Sequence, residues 1–213
     1  MNFVWARRSF RQLTLILILT SCASANAQNA YFPKQSFDSD SKLNKFLDDY
    51  YTLELKLLGE APFVGLSRNP SAHSYRFLWL RTFHHPISIR LDIQQDNTGI
   101  LTTKVAGGAA GYPRKGTQII ENTSRTLTSY EVNKFLSKVD QVKFWQVPSC
   151  LVGDQTGTDG SNWIIEAVRG GRYHVAARWT PTANEQSKLP VRELGLALAI
   201  DLAQLKIPAN ELY

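Results

Sequence analysis

The sequence predicts an α+β fold, a single domain in which an antiparallel sheet of about six strands packs with about three helices. Three observations point there. Segments that alternate apolar and polar residues with period two come four in a row and then two, rather than interleaved with helices. Hairpin-type turn residues, Asp96-Asn97-Thr98-Gly99 and Gly170-Gly171, separate neighbouring segments. Three further segments carry helical spacing with start or stop signals. The 213 residues are 43% hydrophobic and 20% charged, which excludes collagen-like or wholly disordered chains.

The elements follow in order. A helix is expected from Ser41 to about Leu58, with Leu43, Phe46, Leu47, Tyr50 and Leu57 on one face and Asp38, Ser39 or Ser41 as cap; Gly59 and Pro62 end it. Tyr75 to Thr82 sets Tyr75, Phe77 and Trp79 against Arg76, Leu78 and Leu80. Ile87 to Ile93 turns Ile87, Ile89, Leu91 and Ile93 one way and Ser88, Arg90 and Asp92 the other. Ile100 to Val105 returns antiparallel, and Thr117 to Arg125 makes a fourth strand after a glycine-rich loop. The second helix starts at a capping box, where Thr128 meets the amide of Glu131 and the Glu131 carboxylate reaches back, with Leu127 and Val132 as hydrophobic staple. Its buried face is Val132, Phe135, Leu136 and Val139. Trp163 to Val168 and Tyr173 to Trp179 then form a hairpin about Gly170-Gly171, whose register pairs Val168 with Tyr173 and Glu166 with Val175. Val191 to Leu205 alternates like a strand, but its length and its Ala and Leu content favour a helix with Pro190 in the first turn.

Residues 1–27 read as an export signal. Arg7, Arg8 and Arg11 precede the short apolar block Leu13–Leu19, which is too short to span a bilayer. Leu19-Thr20-Ser21-Cys22 has the form of a lipobox, in which Cys22 would be acylated and anchor the chain to a membrane. Ala25-Asn26-Ala27 offers an ordinary secretory cleavage before Gln28 instead. Arg7-Arg8 also suggests twin-arginine export, although the strongly apolar block suits general secretion better. Residues 28–40 read as a tether and 41–213 as the domain. The signal's arginines carry half of the chain's +6 charge, so about +3 remains, without the basic-aromatic stripe that nucleic acid would require. With Cys22 lipidated or removed, Cys150 is left as a lone thiol and the core holds by packing.

Few residues suggest chemistry. Asp154 to Asn162 is oxygen-rich, but it fails the calcium-loop pattern, because Thr156 and Thr158 stand where acids belong and Ile165 takes the twelfth place. His84-His85 are adjacent and so diverge in a strand, which is poor geometry for one metal. Gly111 to Gly116 lacks the Gly-Lys-Ser/Thr ending of a phosphate loop, so no cofactor is expected. Ser39 to Lys42 spells S-x-x-K without its companion motifs, and no G-x-S-x-G occurs. Glu166, set among Ile164, Ile165, Ala167 and Val168, is the one carboxylate forced into apolar company. It is read either as an acid-base group with His174 or as a structural acid paired to an arginine such as Arg178 or to backbone amides. The tryptophans Trp145, Trp163 and Trp179 are expected in the core, or else as platforms for sugars or partner side chains.

The stretch Asp159-Gly160-Ser161-x-Trp163-x-x-Glu166, with Tyr173-His174 and Arg178-Trp179-x-Pro181, resembles a C-terminal pattern in uncharacterised exported bacterial proteins. The resemblance implies export and a shared fold, and no activity. The expectation is therefore an exported, periplasmic or outer-membrane-anchored envelope protein, acting as a non-enzymatic binding or accessory module for a protein or glycan. The alternative is a periplasmic hydrolase using Glu166, His174 and Asp159.

Overall fold

The computed structural model describes residues 30–112, 118–154, 157 and 159–213. The signal residues, Cys22 among them, lie outside the described residues. Within those residues one antiparallel sheet is formed by β1 (His73–Arg81), β2 (Ile87–Ile93), β3 (Gly99–Ala106), β4 (Ile119–Leu127), β5 (Ser161–Arg169) and β6 (Arg172–Trp179). Their order is β4-β3-β2-β1-β5-β6, so β4 and β6 are the edges. Among the described residues three helices flank the sheet, α1 (Ser41–Leu57), α2 (Ser129–Gln141) and α3 (Leu189–Leu196); the π-helical turn Ala197–Leu202 continues α3. The domain is α+β, as the strand grouping predicts. Among the described residues no helix is long and apolar enough to cross a membrane.

The hairpin register is the one the glycine pair dictates, with Glu166 opposite Val175 and Val168 opposite Tyr173. Gly170 and Gly171 both take positive φ, 58° and 77°, which side-chain-bearing residues adopt only at a cost. The capping box at Thr128 also forms, with Thr128 N donating to Glu131 Oε2 at 2.9 Å and Glu131 N to Thr128 Oγ1 at 3.3 Å.

The period-two alternation sorts the strands onto two layers. Tyr75, Phe77, Trp79, Ile89, Leu91, Trp163 and Ile165 face α2 and α3 and form the larger core with Val132, Phe135, Val139, Leu194 and Leu198. Gly195 of α3 lies so close to the sheet that a Cβ there would stand 2.6 Å from the Trp163 ring. Leu78, Leu80, Ile164, Val175 and Ala177 face the other way, against Leu47, Tyr51, Leu55 and Leu58 at α1.

Three expectations about the N-terminal region need correction. α1 is capped by Asp40, whose Oδ1 accepts from the amides of Lys42 and Leu43. Its buried face is also rotated, since Leu47, Tyr51 and Leu55 go inside while Phe46 is 64% exposed. The helix carries two apolar stripes, and only one can seat on the sheet. The tether expected over 28–40 is packed from Tyr31 onward. Phe32 and Phe37 are buried, with Phe37 edge-on to Tyr51 at 4.9 Å between centroids. Asn44 Oδ1 accepts from Phe37 N, fastening this segment to α1.

Candidate functional site

Two arrangements bear on function, a buried ionic cluster and an open aromatic cleft, both on the α1 side of the sheet. The cluster grows from strand register. Arg76 of β1 stands directly opposite Glu166 of β5, and both side chains are fully buried. Arg76 Nε and Nη2 reach Glu166 Oε2 at 2.8 and 2.5 Å, Tyr173 Oη donates to Glu166 Oε1 at 3.0 Å, and the Arg76 guanidinium covers the Phe63 ring. Burial pushes the Glu166 carboxyl up, against the pull of Arg76. The Tyr173 phenol is raised by burial and by the Glu166 charge.

Glu60, just beyond α1, extends the cluster. Its carboxylate pairs with Lys104 at 2.8 Å, Arg90 at 3.1 Å and Arg76 at 3.5 Å, and Arg90 pairs in turn with Asp92. Four strands are thereby tied together by alternating charges. With both carboxylate oxygens of Glu166 engaged inside the protein, the arrangement is built to hold strands rather than to meet substrate.

The three residues read as a hydrolytic set do not converge. His174 pairs with Ala167 across the hairpin and so lies on the opposite face of the sheet from Glu166. It packs against Phe144 and Trp145 at 4.9 and 6.1 Å, and burial lowers its pKa. Asp159 is exposed in the bend before β5. Arg178, the partner named for Glu166, is likewise on the His174 face and donates to the carbonyls of Pro148, Ala177 and Ser187. The true partner, Arg76, was visible as a cation between Tyr75 and Phe77 in a largely apolar strand; what the sequence lacked was the β1–β5 pairing.

The oxygen-rich loop has a structural use at its start. Asp154 accepts from the Trp179 amide at 2.9 Å and pairs with Lys188 at 2.7 Å. His85 Nδ1 contacts the Gly108 carbonyl at 2.7 Å. Among the described residues no group of three or more His, Cys, Asp or Glu is placed to hold a metal ion. Cys150 is partly buried, and burial raises its thiol pKa.

The cleft was missed by sequence reasoning because Phe46, Tyr50 and Leu57 of its lining were expected in the core. Phe46, Tyr50, Leu53 and Leu57 recur at helical spacing, and they face Tyr112 and Trp179 across a cleft of about 480 Å³. Phe46, Leu53 and Tyr112 are each more than half exposed. Tyr50 stacks on Phe46 and donates its hydroxyl to the Ala110 carbonyl, which fixes the ring plane. Polar atoms of Glu54, Thr82 and Asn162 share the lining, and Asn162 is held by the Tyr51 hydroxyl at 2.8 Å. No protein-family model matches the chain, and no curated protein matches it.

Proposed function

We propose that the protein is an exported envelope binding module whose ligand is a carbohydrate ring held in the α1 cleft. The observation that carries this reading is an aromatic lining, with Phe46 and Tyr112 exposed and Tyr50 and Trp179 half-buried, beside the polar atoms of Glu54, Thr82 and Asn162. Flat apolar faces next to a few converging polar groups suit a ligand that is apolar on its faces and hydroxylated at its rim. The cleft volume lies in the range of small-molecule sites, roughly 300–1,000 Å³. Binding is favoured over hydrolysis because Glu166 is spent on Arg76 and Tyr173 while His174 lies across the sheet.

The test is a titration of purified protein with cell-wall oligosaccharides, followed by tryptophan fluorescence. A saturable change that Trp179→Ala and Leu53→Asp abolish, with melting temperature held, is the expected result. Saccharides that leave the spectrum unchanged, or bind both variants like the parent, would remove the reading. Export is tested separately by intact mass after expression in a bacterial host. A chain starting at acylated Cys22 makes it a lipoprotein, one starting at Gln28 a soluble exported protein, and an uncleaved chain ends the export proposal.

A further inference from the structure

The two edges of the sheet are treated differently. Along β6 the loop before β5 lies against the C-terminal end of the strand, with Ala177 N donating to Ser149 O at 2.8 Å and Trp179 N to Asp154 Oδ2 at 2.9 Å. Along β4 nothing comparable is found: among the described residues, no backbone hydrogen bond reaches Ile119–Leu127 from outside its pairing with β3. Residues 119–124 are exposed one after another, with Ile120 57% accessible. The strand has nine residues and contains neither proline nor lysine, the residues that commonly protect an edge. An uncovered edge of this length is a template for another strand.

The side chains of β4 specify which strand. Glu121, Thr123 and Arg125 pair with Val105, Thr103 and Leu101 of β3 and therefore share the face that carries α2 and α3. Glu121 has no ion-pair partner among the described residues. Arg125 spends Nε and Nη2 on the Leu202 carbonyl and Glu131, and its Nη1 makes no hydrogen bond among them. An acid and a base four apart, with a small polar residue midway, complement the same sequence turned through 180°. We infer that β4 pairs antiparallel with β4 of a second copy about a two-fold axis at Thr123, giving a homodimer with one continuous sheet. In that register Glu121 of each copy stands opposite Arg125 of the other, Asn122 opposite Ser124, and Thr123 opposite itself. Opposite charges placed directly across strands attract and like charges repel, so the register is selected by charge. The pairing is isologous, as two-fold dimers require, and it is independent of the cleft on α1.

The experiment is sedimentation of the full-length protein from about 1 to about 100 µM, with the variants Glu121→Arg and Arg125→Glu alone and mixed. The parent is expected to dimerise. Each variant alone sets like charges opposite one another twice, and its dimerisation should weaken by at least about tenfold. In the equimolar mixture the two arginines of one variant's strand stand opposite the two glutamates of the other's, so dimers should form again. Because Arg125 also braces Leu202 and Glu131, Thr123→Lys serves as a second probe. It sets two lysines face to face at the axis, lies at an exposed position, and should yield a monomer with parental circular dichroism. A parent that stays monomeric throughout overturns the inference. So do a dimer indifferent to Thr123→Lys and a mixture of well-folded charge variants that does not reassociate.

Discussion

The two faces of the sheet are held by different physics. Toward α2 and α3 the core is a continuous apolar layer in which Phe77, Trp79 and Trp163 pack at ring separations of 4.9 to 5.7 Å. Toward α1 the apolar packing is smaller, and beside it lies the Glu60–Arg76–Glu166 cluster. Apolar contacts are non-directional and tolerate many sequences of similar volume. Buried ion pairs gain little net stability but fail sharply when one partner is removed. One face thus supplies most of the folding energy, while the other fixes which strands meet.

The sharpest way to break this contrast is Arg76→Met. It fills similar space and leaves Glu166 and part of Glu60 without their central cation, so chemical denaturation should report a loss of about 3–5 kcal/mol. Joining it with Glu166→Gln in a double-mutant cycle should return a substantial part of that loss. Glu166→Gln alone, which keeps shape and removes one charge, is expected to lower stability by about 1.5–3 kcal/mol. An unchanged melting curve would place the cluster outside the folding energetics. On the apolar face Gly195→Ala forces a methyl toward the Trp163 ring, and calorimetry should show a loss of roughly 1–3 kcal/mol, insensitive to salt.

The smallest expected effect is a pH dependence from His73, at the start of β1. Burial, helped by the Arg169 charge, lowers its pKa from 6.5 to about 4. The fold prefers the neutral ring, so its contribution is complete above pH 6.5 and declines as the pH falls toward 4. Half-exposure limits this to below about 1 kcal/mol. His73→Gln should flatten stability across that interval, and a parent whose stability is constant from about pH 7 to about pH 4 would contradict the assignment.

What the sequence made legible was local. Ile87-x-Ile89-x-Leu91-x-Ile93, Gly170-Gly171 and Thr128-x-x-Glu131 each encode geometry within a few residues, and each forms as read. What it hid was relational. Glu166 advertised an unusual environment, but Arg76 is 90 residues away and became its neighbour only when β1 paired with β5. α1 offered two apolar stripes of equal periodicity. Phe32 and Phe37 decided between them by packing on Tyr51, and they sit in a segment whose Ser, Asn and Asp content suggested a tether. The candidate cleft was illegible for that same reason, since Phe46, Tyr50 and Leu57 of its lining were assigned to the core.

The covering of β6 by the loop through Ser149 and Asp154 has a consequence for assembly. A sheet with two bare edges adds chains head to tail without limit and grows into fibres. With β6 held at Ala177 and Trp179 by that loop, addition at β4 uses, in both partners, the edge left uncovered among the described residues, and propagation terminates at two. The Asp154–Trp179 and Ser149–Ala177 hydrogen bonds therefore act as a chain terminator. Loosening that loop would turn a finite assembly into a polymerising one.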